Sequence, residues 1–124
     1  MTTKLYTSKQ TQEIFTSLGQ SLGLQPFILS KLAIALSIRK GPLKECDFLN
    51  DNEGLELNRS TIFNEYDLLF KSLIVNTENR QICEDEYFPG IVKAHLDRGA
   101  FLLRDEKRYS KDFYNHLCNL NSNI

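Results

Sequence analysis

Residues 8 to 41, SKQTQEIFTSLGQSLGLQPFILSKLAIALSIRKG, constrain this chain more than any other stretch. They read as two amphipathic helices joined by a tight corner. The first spans about 8 to 22 and carries Ile14, Phe15, Leu18 and Leu22, the spacing of one helical face. Gly23 follows, where a left-handed stop has no steric cost. Leu24 and Gln25 make the corner, and Pro26 stands where a first helical residue tolerates a missing N–H. The second helix carries Phe27, Ile28, Leu29, Leu32, Ala33, Ala35, Leu36 and Ile38. That stripe wraps more than half the circumference, so the helix must be covered on more than one side. Arg39 and Lys40 close it, at the negative end of the helix dipole, ahead of Gly41 and Pro42.

A short arm, Thr3 to Thr7, precedes the pair. Arm, helix, corner and apolar helix within about forty residues is the layout of a ribbon-helix-helix unit. Such a unit pairs its arm with that of a second copy and buries its second helix between chains. The expected fold is mostly α: a ribbon-helix-helix-like unit over 1–41, a linker over 42–60, and two or three further helices over 61–124, all in one compact domain. The linker reading rests on the Gly, Pro, Asn and Asp gathered between 41 and 54. Leu55 to Arg59 is too brief to assign as helix or strand.

Ser60 or Thr61 is a candidate cap for a third helix reaching about Val75, with Ile62, Phe63, Tyr66, Leu69, Phe70 and Leu73 on one side. A fourth helix, restarted by Pro89 and Gly90, carries Ile91, Val92, Leu96, Leu102 and Leu103. Gly99 inside it marks either a close helix crossing or a break. A last helix capped at Ser110 carries Phe113, Tyr114, Leu117 and Leu120.

The net charge of −1 hides an asymmetry: residues 1–44 carry +5 and residues 45–124 carry −6. Either the basic part meets a polyanion and the acidic part a protein, or the two fold together and neutralise each other. Cys46, Cys83 and Cys118 are odd in number and widely spaced, with no histidine at ligand spacing, so neither a zinc site nor a disulfide framework is expected. No apolar run approaches the ~20 residues of a membrane helix, and the N-terminus lacks the form of a signal peptide. No membrane association and a cytoplasmic location are the expectations.

Signatures of catalysis are missing: no phosphate loop, no paired-histidine metal motif, no serine elbow. His95 and Asp97 lie two apart on a helix and point in different directions, a helix-face histidine and a solvated aspartate. Polar residues crowd the segment Gly54 to Glu65. Asn58, Arg59, Thr61 and Glu65 read as a capping network with Arg59 paired to Glu56 or Glu65. The alternative is a phosphate contact through Arg59 at a helix N-terminus.

At this segment the chain resembles the DndE family of DNA phosphorothioation proteins. The resemblance rests on the helix pair from Leu22 to Ser37, on the block Gly54, Glu56, Asn58, Arg59, Thr61, Glu65 and Asp67, and on His95, Leu96, Arg98 and Gly99 with Leu102 and Leu103 behind them. Asn64 stands where the family pattern has a glycine, and the stretch after Arg104 lies outside the resemblance. Membership would imply a non-catalytic protein without a cofactor. It would form homo-oligomers, with a tetramer as one option, bind duplex DNA with a preference for nicks, and join sulfurtransferase-like and ATPase subunits. Lys4, Lys9, Arg39, Lys40 and Lys44 are then the expected phosphate contacts; each alone is an ordinary solvated cation. Two rivals remain. One is a ribbon-helix-helix regulator or antitoxin reading bases with Lys4 and Tyr6. The other is a metal-dependent nuclease using Glu65, His95 and Asp97.

Overall fold

A computed structural model describes residues 3–108. The element order is β1 (Lys4–Tyr6), α1 (Lys9–Leu22), α2 (Pro26–Lys40), a 3-10 turn (Glu45–Asp47), β2 (Glu56–Asn58), α3 (Arg59–Phe63), a second 3-10 turn (Asn64–Tyr66), α4 (Asp67–Glu78), a wide π turn (Glu86–Ile91) and α5 (Val92–Arg108). The chain is mostly helical. The helix expected at Ser110, with His116 and Cys118, lies outside the described residues.

The helix pair forms where its local signals place it. Ser8 caps α1 by accepting from the Thr11 N–H, and Gly23 ends it at φ 71°, a left-handed conformation that glycine adopts without strain. Pro26 opens α2, and the two helices bend by 111° at the corner. Among the described residues no single helix is long and apolar enough to cross a membrane.

Two expectations about this unit change. The arm does form a strand, but β1 pairs antiparallel with the chain's own β2, setting Lys4 opposite Asn58, Leu5 opposite Leu57 and Tyr6 opposite Glu56. The span read as linker therefore holds half of the only sheet among the described residues. Gly54 lets it close: a Cβ there would stand 2.2 Å from the Ser8 carbonyl oxygen. The second change concerns α2, whose inner face is covered by α5 of the same chain rather than by a sister copy. Leu29, Ser30, Ala33, Ile34 and Ser37 are buried, whereas Phe27, Ile28, Leu32 and Leu36 are half-buried. Gly99 is the crossing point, because its Cα faces the Ala33 carbonyl so closely that no Cβ fits. The close-crossing reading of Gly99 is thus the observed one, and α5 runs unbroken through it.

The third helix is interrupted. Asn58, not Ser60 or Thr61, occupies the N-cap position of α3, and Asn64 breaks the run at φ 50°. That is a backbone conformation favouring glycine. The break resets the helical phase, so the predicted apolar face splits. Ile62, Phe63 and Ile74 are buried, while Tyr66, Leu69 and Leu73 turn outward with Leu68, which is 75% exposed.

Candidate nucleic-acid interface

The C-terminus of α2 leaves backbone carbonyls without helical partners. Arg98, projecting from α5, gathers them. Its guanidinium donates to the carbonyl oxygens of Ser37 (2.5 Å), Gly41 (2.5 Å) and Pro42 (3.1 Å), and its Nε donates to Ser37 Oγ at 2.8 Å. One side chain thus fixes both the helix end and the loop that follows. Lys93, one turn earlier, donates to the Leu49 carbonyl and to Asp97 Oδ2. The loop from Gly41 to Leu49 is therefore pinned to α5 at both ends.

Behind Arg98 runs a sealed polar relay. Ser37 Oγ already accepts from Arg98, so its own proton points to His95 Nδ1, 2.7 Å away. The other ring nitrogen, Nε2–H, then donates to Glu78 Oε2 at 3.1 Å, which also accepts the Leu43 N–H. His95 is fully buried. Burial drives its pKa down to about 4, with the Arg98 charge adding to the effect and Glu78 opposing it. Asp97 is not solvated as expected: it is fully buried and accepts from the Ser8 N–H, the Thr11 hydroxyl and Lys93. The nuclease trio falls apart accordingly. His95 and Asp97 serve different buried networks, Glu65 is exposed, and among the described residues no group of His, Cys, Asp and Glu is placed to hold a metal.

On the outer side of Arg98, α2, the pinned loop and α5 enclose a hollow of about 470 Å³, bordered by Lys40, Lys44, Cys46, Leu49, Phe101 and Leu102. A second hollow of about 360 Å³ shares Lys40 and Leu102 with it and adds Arg39. Three of the five expected phosphate contacts thus border two adjoining hollows: Lys40 and Lys44 the first, and Arg39 and Lys40, with Glu106, the second. Among the described residues neither Lys40 nor Lys44 has an ion-pair partner. The first hollow's two acids each have a cation of their own, Asp47 with Arg98 in the same wall and Asp105 with Arg104. Lys4 does not join this group: its Nζ lies 2.8 Å from Glu56 Oε1 across the sheet, which raises the lysine pKa and lowers that of the carboxyl. Lys9 sits on the first turn of α1, where its backbone N–H donates to Asp51.

The sequence pattern of the family described as DNA sulphur modification protein DndE matches residues 4–111. This chain belongs to the DndE family. No curated protein matches it. Among solved structures, it is similar to DndE from Escherichia coli B7A, described as involved in DNA phosphorothioation modification. The TM-score is 0.64 at 19% identity, over 83% of this chain and 98% of that one. It is similar also to a mutant DndE involved in DNA phosphorothioation, at TM-score 0.63 and 19% identity, over 85% and 99%.

Within this DndE-family chain the motif residues divide by role. Arg59 is structural. It makes a two-point ion pair with Asp67 at 2.8 and 2.9 Å and a further one with Glu84, and its guanidinium lies 5.2 Å from the Tyr87 ring centroid. Neither Glu56 nor Glu65 is its partner, because the register turns Glu56 to Lys4 and the break at Asn64 carries Glu65 outward. Two carboxylates leave Arg59 little to offer a phosphate, and hydrogen bonding to Asp67 raises its pKa further. Glu84 pairs with Lys71 as well. Thr61 is exposed, and Asn58 makes no side-chain cap bond. Glu56 also accepts from Tyr6, so both side chains that a base-reading arm would offer are tied to one carboxylate. Gly99 and Arg98 set the α2–α5 contact and the loop above it. Sequence reasoning missed Ser37 and Glu78, whose partners lie too far along the chain to be paired by spacing, and Lys93, for which the i,i+4 spacing to Asp97 was the available signal.

Proposed function

We propose that this chain is a DNA-binding accessory subunit of DNA sulphur modification, with no active site or cofactor of its own. It acts as a homo-oligomer beside sulfurtransferase-like and ATPase subunits. The observation that carries this reading is the pair Lys40 and Lys44 on one hollow, neither with a carboxylate partner among the described residues, and Arg39 on the hollow that adjoins it through Lys40. Such cations bind phosphates by releasing counterions, without reading sequence. Self-association is supported by the half-buried outer residues of α2 and by the exposed leucines of α4, and it would multiply the basic groove. Family membership supplies the pathway.

The test is the salt dependence of binding to an unmodified duplex. Replacing both lysines, Lys40→Glu with Lys44→Glu, should flatten the log–log salt slope by roughly two units per engaged copy. An unchanged slope, with the variant still folded, removes the groove from DNA binding. Light scattering that gives a strict monomer at working concentration removes the oligomer.

A further inference from the structure

The hollow beneath Lys40 and Lys44 has more apolar wall than a phosphate needs. Its sides are Leu49 from the loop and Phe101 and Leu102 from α5, with the Cys46 thiol at the edge. About 470 Å³ falls within the usual range for small-molecule sites, about 300–1,000 Å³. The hollow is also preformed. Arg98 holds Gly41 and Pro42, Lys93 holds Leu49, and the Lys44 N–H donates to Asp47 Oδ2 at 2.8 Å. The Arg104 guanidinium lies 5.2 Å from the Phe101 ring centroid. A fully paired duplex offers this wall nothing, because its bases are stacked inside and its surface is phosphate and sugar. The combination of an aromatic and aliphatic wall with two unmatched cations at the rim fits one chemistry: a planar base joined to a phosphate.

We infer that the α2–α5 hollow receives a single unstacked nucleotide of DNA, its base against Phe101, Leu102 and Leu49 and its phosphate on Lys40 and Lys44. This inference rests on the DNA-binding reading above and adds what part of the DNA enters. Base-on-aromatic contact is sequence-tolerant, since every base has a flat face. The hollow therefore takes a base without choosing a sequence.

The test uses three short duplexes of one sequence: fully paired, with one bulged adenine, and with a bulged abasic residue at the same place. The abasic bulge keeps the phosphate and the bend but removes the base. The adenine bulge should bind about tenfold tighter than the abasic bulge. Cys46→Trp, which fills the hollow from an exposed position, should bring that ratio to one; so should Phe101→Ala where it folds. In a Cys83→Ser, Cys118→Ser background, the adenine bulge should slow alkylation of Cys46 while the abasic bulge does not. Equal affinity for the two bulges, or equal alkylation rates, overturns the inference while leaving salt-dependent duplex binding intact. No salt-dependent binding to any of the three overturns the underlying reading as well.

Discussion

Helices α4 and α5 invert what their compositions promise. Helix α5 carries Lys93, His95, Asp97 and Arg98 along one stretch, yet the first three are buried and the fourth nearly so. Helix α4 is rich in leucine, yet Leu68, Leu69 and Leu73 are exposed at 75%, 53% and 42%. The difference lies in partners rather than in hydrophobicity. Each polar group on α5 meets a complementary one on another element: Asp97 meets Ser8 and Thr11 on the α1 cap, Arg98 meets the end of α2, and His95 meets Ser37 and Glu78. A buried polar group so matched is tolerated, and an unmatched one is costly. The outward leucines of α4 have no such cover within the described chain.

The largest effect expected from this contrast comes from breaking a match on α5. Asp97→Ala strands the Lys93 ammonium, 11% exposed, and the Ser8 and Thr11 donors without their acceptor. Removing one partner of a buried ion pair costs about 3–5 kcal/mol. Urea denaturation should show a loss of that size. A change below about 1 kcal/mol would mean that Asp97 is reached by water and that the seam is not sealed.

A smaller effect should follow from pH. The folded-state pKa of His95 is lowered by burial, to about 4 against 6.5 for a free histidine. The unfolded chain therefore takes up a proton that the folded chain refuses. Stability is fully present above pH 6.5 and is lost as pH falls from there toward 4, at up to about 1.4 kcal/mol per pH unit. Between pH 6.5 and 5 most carboxylates are still ionised, so this window reads the histidine. Urea midpoints should fall across it in the native chain and stay level in His95→Gln. A level native profile would show that the ring is protonated on Glu78 in the folded state.

How much of this was legible in the residues follows from how far apart the partners lie. Gly23, Pro26 and the cation pair Arg39–Lys40 act on their immediate neighbours, so the helix pair and its ends could be read directly. For the same reason Arg39, Lys40 and Lys44, close in sequence, fall on two adjoining hollows. Lys4 depends on a strand register that brings Glu56 across from 52 residues away, and no local pattern gives that. Asp97 looked solvated because two of its partners, Ser8 and Thr11, come from the other end of the chain, although Lys93 stands at helical spacing from it. The face of α4 was misread because one residue, Asn64, turned the phase of everything after it.

The smallest effect on the fold, and the sharpest probe of the contrast, belongs to α4. Its outward surface from Tyr66 to Asn76 offers no spare charge: Asp67 is held by Arg59, and Lys71 by Glu84. An exposed apolar stripe of this kind marks a contact surface more often than a solvated one. Leu68→Glu with Leu73→Glu changes side chains that contribute little to the core of an isolated chain. Its urea midpoint, measured in dilute solution, should therefore move by no more than about 0.5 kcal/mol equivalent. If copies meet through this stripe, the same pair of changes places carboxylates where only apolar surface can be matched, and sedimentation should report a fall in mass. An unchanged mass moves self-association to the half-buried side of α2. A large loss of stability in the dilute chain would show instead that the leucines are covered from within, and the inversion between α4 and α5 would disappear.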